Sequence, residues 1–101
     1  MKKKRYLPFG YQMIKGQYEV VPEESKLIQK IFHQYLAGIS LQRLAKNAEE
    51  TGLKFRENAN GWNKNMIARI LDDERYWSGE PFPTIISREL AIKVTHLRRS
   101  K

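Results

Sequence analysis

Residues Gly38–Leu71, GISLQRLAKNAEETGLKFRENANGWNKNMIARIL, read as two short helices joined by a polar loop. Ser40 is placed to cap the first of them, and Leu41, Leu44, Ala45 and Ala48 form a narrow apolar strip that ends at Gly52. The small alanines suit close packing against another helix. Between Leu53 and Gly61 the chain is a loop, with Leu53 and Phe55 expected to turn inward while Lys54, Arg56 and Asn58 stay in water. Asn63 can cap the next helix, in which Met66, Ile67, Ile70 and Leu71 cluster within about one third of the circumference at about 100° per residue. The opposite side of that helix carries Asn65, Ala68, Arg69 and Asp72.

An amide, a small residue and a guanidinium on one outward face are the side-chain types that read base edges in a DNA major groove. The rest of the chain supplies a matching field. Lys and Arg total 19 against 11 Asp and Glu, a formal net charge of +8, concentrated at Lys2–Arg5, at Lys54 and Arg56, at Lys64 and Arg69, and at Arg98–Lys101. Such a balance favours an anionic partner, and double-stranded DNA fits it.

At 101 residues the chain is long enough for one domain with a modest core, and 41% hydrophobic against 30% charged residues is a globular balance. The absence of cysteine removes disulfides, thiolate chemistry and cysteine-ligated zinc, and makes the cytoplasm the expected compartment. No apolar run approaches the roughly 20 residues needed to span a bilayer, so no membrane partner is expected.

Outside the central stretch, Tyr11–Ile14 and Gln17–Val21 flank Lys15-Gly16 and predict a small β-hairpin. Pro22, Glu23 and Glu24 open a helix to about Ala37, with Leu27, Ile28, Ile31, Phe32, Tyr35 and Leu36 at helical spacing and Gly38 as its stop. Tyr76, Trp77 and Gly79 mark an exit, and Pro81 and Pro83 predict a strand-like piece after it. Ser87 then caps a last helix with Leu90, Ala91, Val94 and Leu97 inward. The expected fold is mainly α: a helical bundle with a helix-turn-helix-like unit and a small β-hairpin. A basic arm over residues 1–6 precedes the domain at 7–101.

Several of these features stand in a distinctive order: Pro8-Phe9-Gly10-Tyr11, Val21-Pro22-Glu23-Glu24 before Ile31-Phe32, and Gly38-Ile39-Ser40-Leu41. Gly61-Trp62-Asn63, Arg69-Ile70-Leu71, Tyr76 with Gly79, and Pro83-Thr84-Ile85-Ile86-Ser87 follow. From about Arg5 to Arg99 this resembles the recombinase domain of large serine recombinases, the phage integrases and transposon resolvases. The resemblance implies a DNA-binding module that follows a catalytic domain with a serine nucleophile and clustered arginines, which this chain lacks. It also implies that a zinc ribbon with cysteines often comes next, so the chain is expected to be a segment of a larger serine recombinase. Asn63 stands where members often have Ser or Thr, and Glu74-Arg75 where they tend to have Asn-Pro, which leaves the exit from the third helix open.

A helix-turn-helix inserts its second helix N-terminus first. Lys64 at that end and Asp72, Asp73 and Glu74 at the other agree with such an insertion. Arg69 suits guanine, Asn65 suits adenine, and Asn63, Lys64 and Ala68 share their helix or its cap. Lys54, Arg56 and Arg43 are candidates for phosphate contacts, as are Lys4 and Arg5 of the arm, which the resemblance makes the link to the absent catalytic domain. Trp62 and Tyr76 read as core. His33 and His96 lack partners at metal spacing, and no serine stands in a triad, so no metal, cofactor or catalytic residue is expected. Two rival readings are a free-standing helix-turn-helix transcription regulator and a protein-interaction module within a recombination synapse. The isolated chain is expected to be a monomer without enzymatic activity.

Overall fold

In the computed structural model, which describes residues 7–56 and 61–100, a hairpin is followed by five helices. Strand β1 (Tyr11–Ile14) pairs antiparallel with β2 (Gln17–Val20), Tyr11 opposite Val20 and Ile14 opposite Gln17. The turn between them holds Lys15 at φ 49° and Gly16 at φ 79°, two successive left-handed residues that match the twist of the strands.

The hairpin is fastened to the first helix, α1 (Pro22–Leu36), through its backbone. Gly10 N–H donates to Glu24 Oε1 at 2.8 Å, and Val21 N–H donates to Gly10 O at 2.8 Å. Gly10 sits at φ 107°, and a Cβ there would lie 2.5 Å from Ile28 Cδ1, so both conformation and space require glycine. Pro22 occupies the first turn of α1, where a missing N–H costs nothing, and Glu23 and Glu24 face the positive helix end.

Helix α2 (Leu41–Glu50) starts at Ser40, whose Oγ accepts from Arg43 N–H at 3.1 Å. Helix α3 (Lys64–Asp72) starts at Asn63, whose Oδ1 accepts from Met66 N–H at 3.0 Å. Leu44, Ala45 and Ala48 from α2 and Ile67, Ile70 and Leu71 from α3 are buried in one core with Leu27, Ile28, Ile31, Phe32 and Tyr35 of α1. Residues 51–63 connect α2 to α3, a longer link than the three- or four-residue turn of a compact helix-turn-helix. Leu53 and Phe55 pack against the core, as their spacing predicts, and Trp62 Nε1 donates to Leu53 O at 2.9 Å. Asn58 lies outside the described residues.

The strand-like piece expected after Tyr76 does not form. Helix α4 (Arg75–Ser78) is a single turn ending at Gly79, and Tyr76 O accepts both Ile85 N–H at 2.9 Å and Ile86 N–H at 3.0 Å. Those two hydrogen bonds fold the proline-containing segment back onto α4. The Tyr76 ring is buried against Tyr11 and Phe32, and its hydroxyl donates to Phe9 O at 2.6 Å. Ser87 Oγ then caps α5 (Arg88–Arg99), which packs on α1 through Ala91 and Val94.

Burial, reinforced by the Asp73 charge, pushes the Tyr11 hydroxyl up to about 12, and burial raises Tyr76 further. Both groups ionise more readily in the unfolded chain, so their contribution to stability is complete below pH 10.0 and is lost as pH rises through the folded values. An alkaline titration of folding monitored by circular dichroism is expected to show a steep loss of stability between pH 10.0 and about 12, flattened in Tyr11→Phe.

Candidate nucleic-acid interface

Helix α3 presents the face that its periodicity predicts. Ile67, Ile70 and Leu71 are buried, Met66 is half-buried, and Asn65 and Arg69 are exposed on the other side with Ala68 half-covered between them. Asn65, Ala68 and Arg69 line one open hollow together with Asp72, Asp73 and Arg75. A second hollow adjoins it, sharing Arg69, Asp73 and Arg75 and reaching Arg56, Phe55 and the Leu7–Phe9 segment. The two form a continuous trough along the outward side of α3.

The trough's far wall is aromatic. Phe9 meets Trp62 edge-on at 5.2 Å and Phe55 at 6.0 Å, while the Arg56 guanidinium lies 5.3 Å from the Phe55 ring centroid. Arg56, held over that ring set, lines the same hollow as Arg69, a placement that loop residues without periodicity do not signal. Of the other candidates, Lys54, Asn63, Lys64 and Arg43 are exposed but line neither hollow. The Asn63 carboxamide oxygen is engaged in capping α3. Lys4 and Arg5 lie outside the described residues.

The acidic end of α3 is less negative than its sequence implies. Arg98 Nε and Nη2 donate to Asp72 Oδ1 and Oδ2 at 2.9 and 2.7 Å, and Arg75 forms the same two-bond fork on Asp73 at 2.9 and 2.8 Å. These bonds raise the pKa of both guanidinium groups and hold them charged. Among the described residues Glu74 alone of the three acids pairs with no guanidinium, so this end is less negative than three free carboxylates would make it. The positive end of α3 is marked by the exposed Lys64 and the N-terminal amides.

Arg75 is the residue that sequence reasoning missed. The helical phase of α3 breaks at Asp73, whose ψ of 106° is extended, and no periodic pattern carries across it. A local signal existed in Asp73-Glu74-Arg75, because an aspartate two residues before a backbone N–H commonly accepts from it, as Asp73 Oδ1 does from Arg75 N–H at 3.0 Å. No group of three or more metal-ligating side chains occurs among the described residues. None of the helices among them is long and apolar enough to cross a membrane.

The bundle with its hairpin and exposed third helix is of the helix-turn-helix-like class expected from the sequence. The chain belongs to the recombinase family, whose model matches residues 22–101. No curated protein matches it at a significant level. Among solved structures, an LSR–DNA complex aligns at a TM-score of 0.69 with 20% identity, over 97% of this chain and 33% of that one. A protein studied for the sequence requirements of the Listeria innocua prophage attP site aligns at 0.69 with 21% identity, over 92% of this chain and 42% of that one. The chain thus spans less than half the length of either, and at these identities the likeness is one of fold.

Proposed function

We infer that this chain is the DNA-recognition domain of a site-specific serine recombinase, formed by residues 7–101, with α3 entering the major groove of an attachment-site duplex. The observation that carries this reading is the face of exposed Asn65 and Arg69, with half-covered Ala68 between them, on a helix whose other side is sealed into the core. Family membership and a fold shared with an LSR–DNA complex and an attP-directed protein support it. In this reading Arg69 and Asn65 contact bases, and Lys64 and Ala68 approach the groove beside them. Arg56, Lys54, Arg43 and the Asn63 amide meet phosphates or their hydration. Residues 1–6, with Lys4 and Arg5, continue along the DNA toward a catalytic domain. That domain carries out strand exchange in the parent enzyme, and this one decides where. The isolated chain binds duplex DNA as a monomer in the cytoplasm and cuts nothing.

A salt titration tests the reading. Neutralisation of about six phosphates gives an affinity that falls about a thousandfold between roughly 50 and 200 mM salt, linear on a double-logarithmic plot. A duplex affinity independent of salt, or no binding at low salt, contradicts it and favours a surface made for a protein partner.

A further inference from the structure

Arg75 has a geometry that neither a solvated surface arginine nor a purely internal ion pair requires. Its side chain is 48% exposed, while that of its acceptor Asp73 is only 16% exposed. The fixed partner is therefore the carboxylate, anchored a second time by the Arg75 N–H, and the guanidinium is held outward against it. The guanidinium also lies 5.9 Å from the Phe82 ring centroid. Nε–H and one Nη2–H are engaged on Asp73. Of the five guanidinium donors three have no acceptor among the described residues, and two of these, the second Nη2–H and one Nη1–H, form the parallel end-on pair aimed away from the carboxylate.

The place where that end-on edge stands is also specific. Arg75 is common to both hollows of the trough, beside Asn65 and Arg69 in one and beside Arg56 and Arg69 in the other. Arg56, Arg69 and Arg75 line the second hollow with Asp73 the one acid among its described lining residues, which leaves a positive excess that attracts phosphate oxygens and suits the electron-rich O6/N7 edge of guanine. Arg98, forked on Asp72 in the same manner, lies instead 6.0 Å from the Tyr35 ring centroid and lines neither hollow of the trough, although it shares a further hollow with Arg75, Asp72 and Asp73.

Resting on the reading that α3 enters DNA, we propose that Arg75, braced by Asp73, is a second DNA-contacting arginine beside Arg69. Its end-on N–H pair meets a paired acceptor on the duplex, either two phosphate oxygens or guanine O6 and N7. Asp73 is a positioning residue: it touches no DNA and acts by fixing the guanidinium, which lowers the ordering cost on binding.

The sign of one substitution separates this from general electrostatics. Asp73→Asn keeps an Oδ1 to accept the Arg75 N–H but cannot accept the second guanidinium bond. It also makes the chain one unit more positive, which by charge alone tightens DNA binding. The expected result is the reverse, an affinity about threefold weaker. Arg75→Ala is expected to weaken binding about tenfold and to lower the double-logarithmic salt slope by about 0.9 if the acceptor is a phosphate. Arg75→Lys keeps the charge and stem without the fork and is expected to recover only part of that loss.

The probes are a duplex selected by the wild-type chain from a randomised pool and a shuffled duplex of equal composition. Equal loss on both identifies a phosphate, and loss confined to the selected duplex identifies guanine. Tighter binding by Asp73→Asn, or wild-type affinity and slope in Arg75→Ala, overturns the assignment while leaving the role of α3 intact. Failure of the wild-type chain to bind either duplex overturns the reading on which it rests. Should Arg75→Ala not fold, Asp73→Asn and Arg75→Lys decide the question.

Discussion

Arg69→Ala is expected to bind a selected duplex ten- to a hundredfold more weakly than the wild-type chain while losing much less on a shuffled one. The difference corresponds to the roughly 1–3 kcal/mol of discrimination carried by a bidentate arginine–guanine contact. Stability is expected to stay within about 0.5 kcal/mol of wild type, because Arg69 is exposed and no hydrogen bond or ion pair of its side chain is seen among the described residues. Parallel titrations of the two duplexes, with thermal unfolding as the control, make the comparison. Equal losses on both would move Arg69 from bases to phosphates and leave Asn65 as the principal reader.

Tyr76→Ala is expected to have the largest effect on folding, about 3–5 kcal/mol, in the range of other large aromatic truncations. The ring fills the junction between the hairpin and the helices, against Tyr11 and Phe32, and its hydroxyl ties α4 to Phe9 at the edge of the trough. Tyr76→Phe keeps the ring and leaves the Phe9 carbonyl without its donor, an expected cost of about 1–3 kcal/mol. Urea denaturation of the two variants separates ring from hydroxyl. A loss in Tyr76→Ala no greater than in Tyr76→Phe would mean that the ring contributes little. Because Phe9 and Tyr76 both line the hollow beside Arg69, Tyr76→Phe is also expected to disturb DNA binding modestly.

The elements on which these expectations stand were largely legible in the sequence. Asn63 and Ser40 cap as their positions imply, and the spacing of Ile67, Ile70 and Leu71 fixes which side of α3 is buried and therefore which side is free. The hairpin and its Lys15-Gly16 turn were legible too, while its register came only with the two left-handed residues of that turn. Local chemistry and period are enough for such features.

What the sequence hid depends on contacts between distant residues or on a change of helical phase. Asp72 and Arg98 are 26 positions apart, and nothing in either neighbourhood marks them as a pair. The segment after Gly79 has the prolines of an extended strand, yet it is held by the Tyr76 carbonyl, a tertiary bond that propensity does not contain. Arg75 follows a break in α3, and its position in the trough depends on the angle at which α4 departs. The approach of Arg56 to the same concavity depends on the packing of Phe9, Phe55 and Trp62. The outward face of α3 was therefore readable from its own helix, whereas the walls around it were not.

The most direct test of the central claim is a titration of the isotopically labelled chain with a selected duplex, followed through backbone and side-chain NMR signals. Entry of α3 into the groove places the largest shifts at Lys64, Asn65, Ala68 and Arg69 and at the flanking Arg56 and Arg75, with the exposed side of α1 little changed. Shifts concentrated on α1 or on the exposed side of α5 around Ile92, with the Asn65 and Arg69 side-chain signals unmoved, would contradict it.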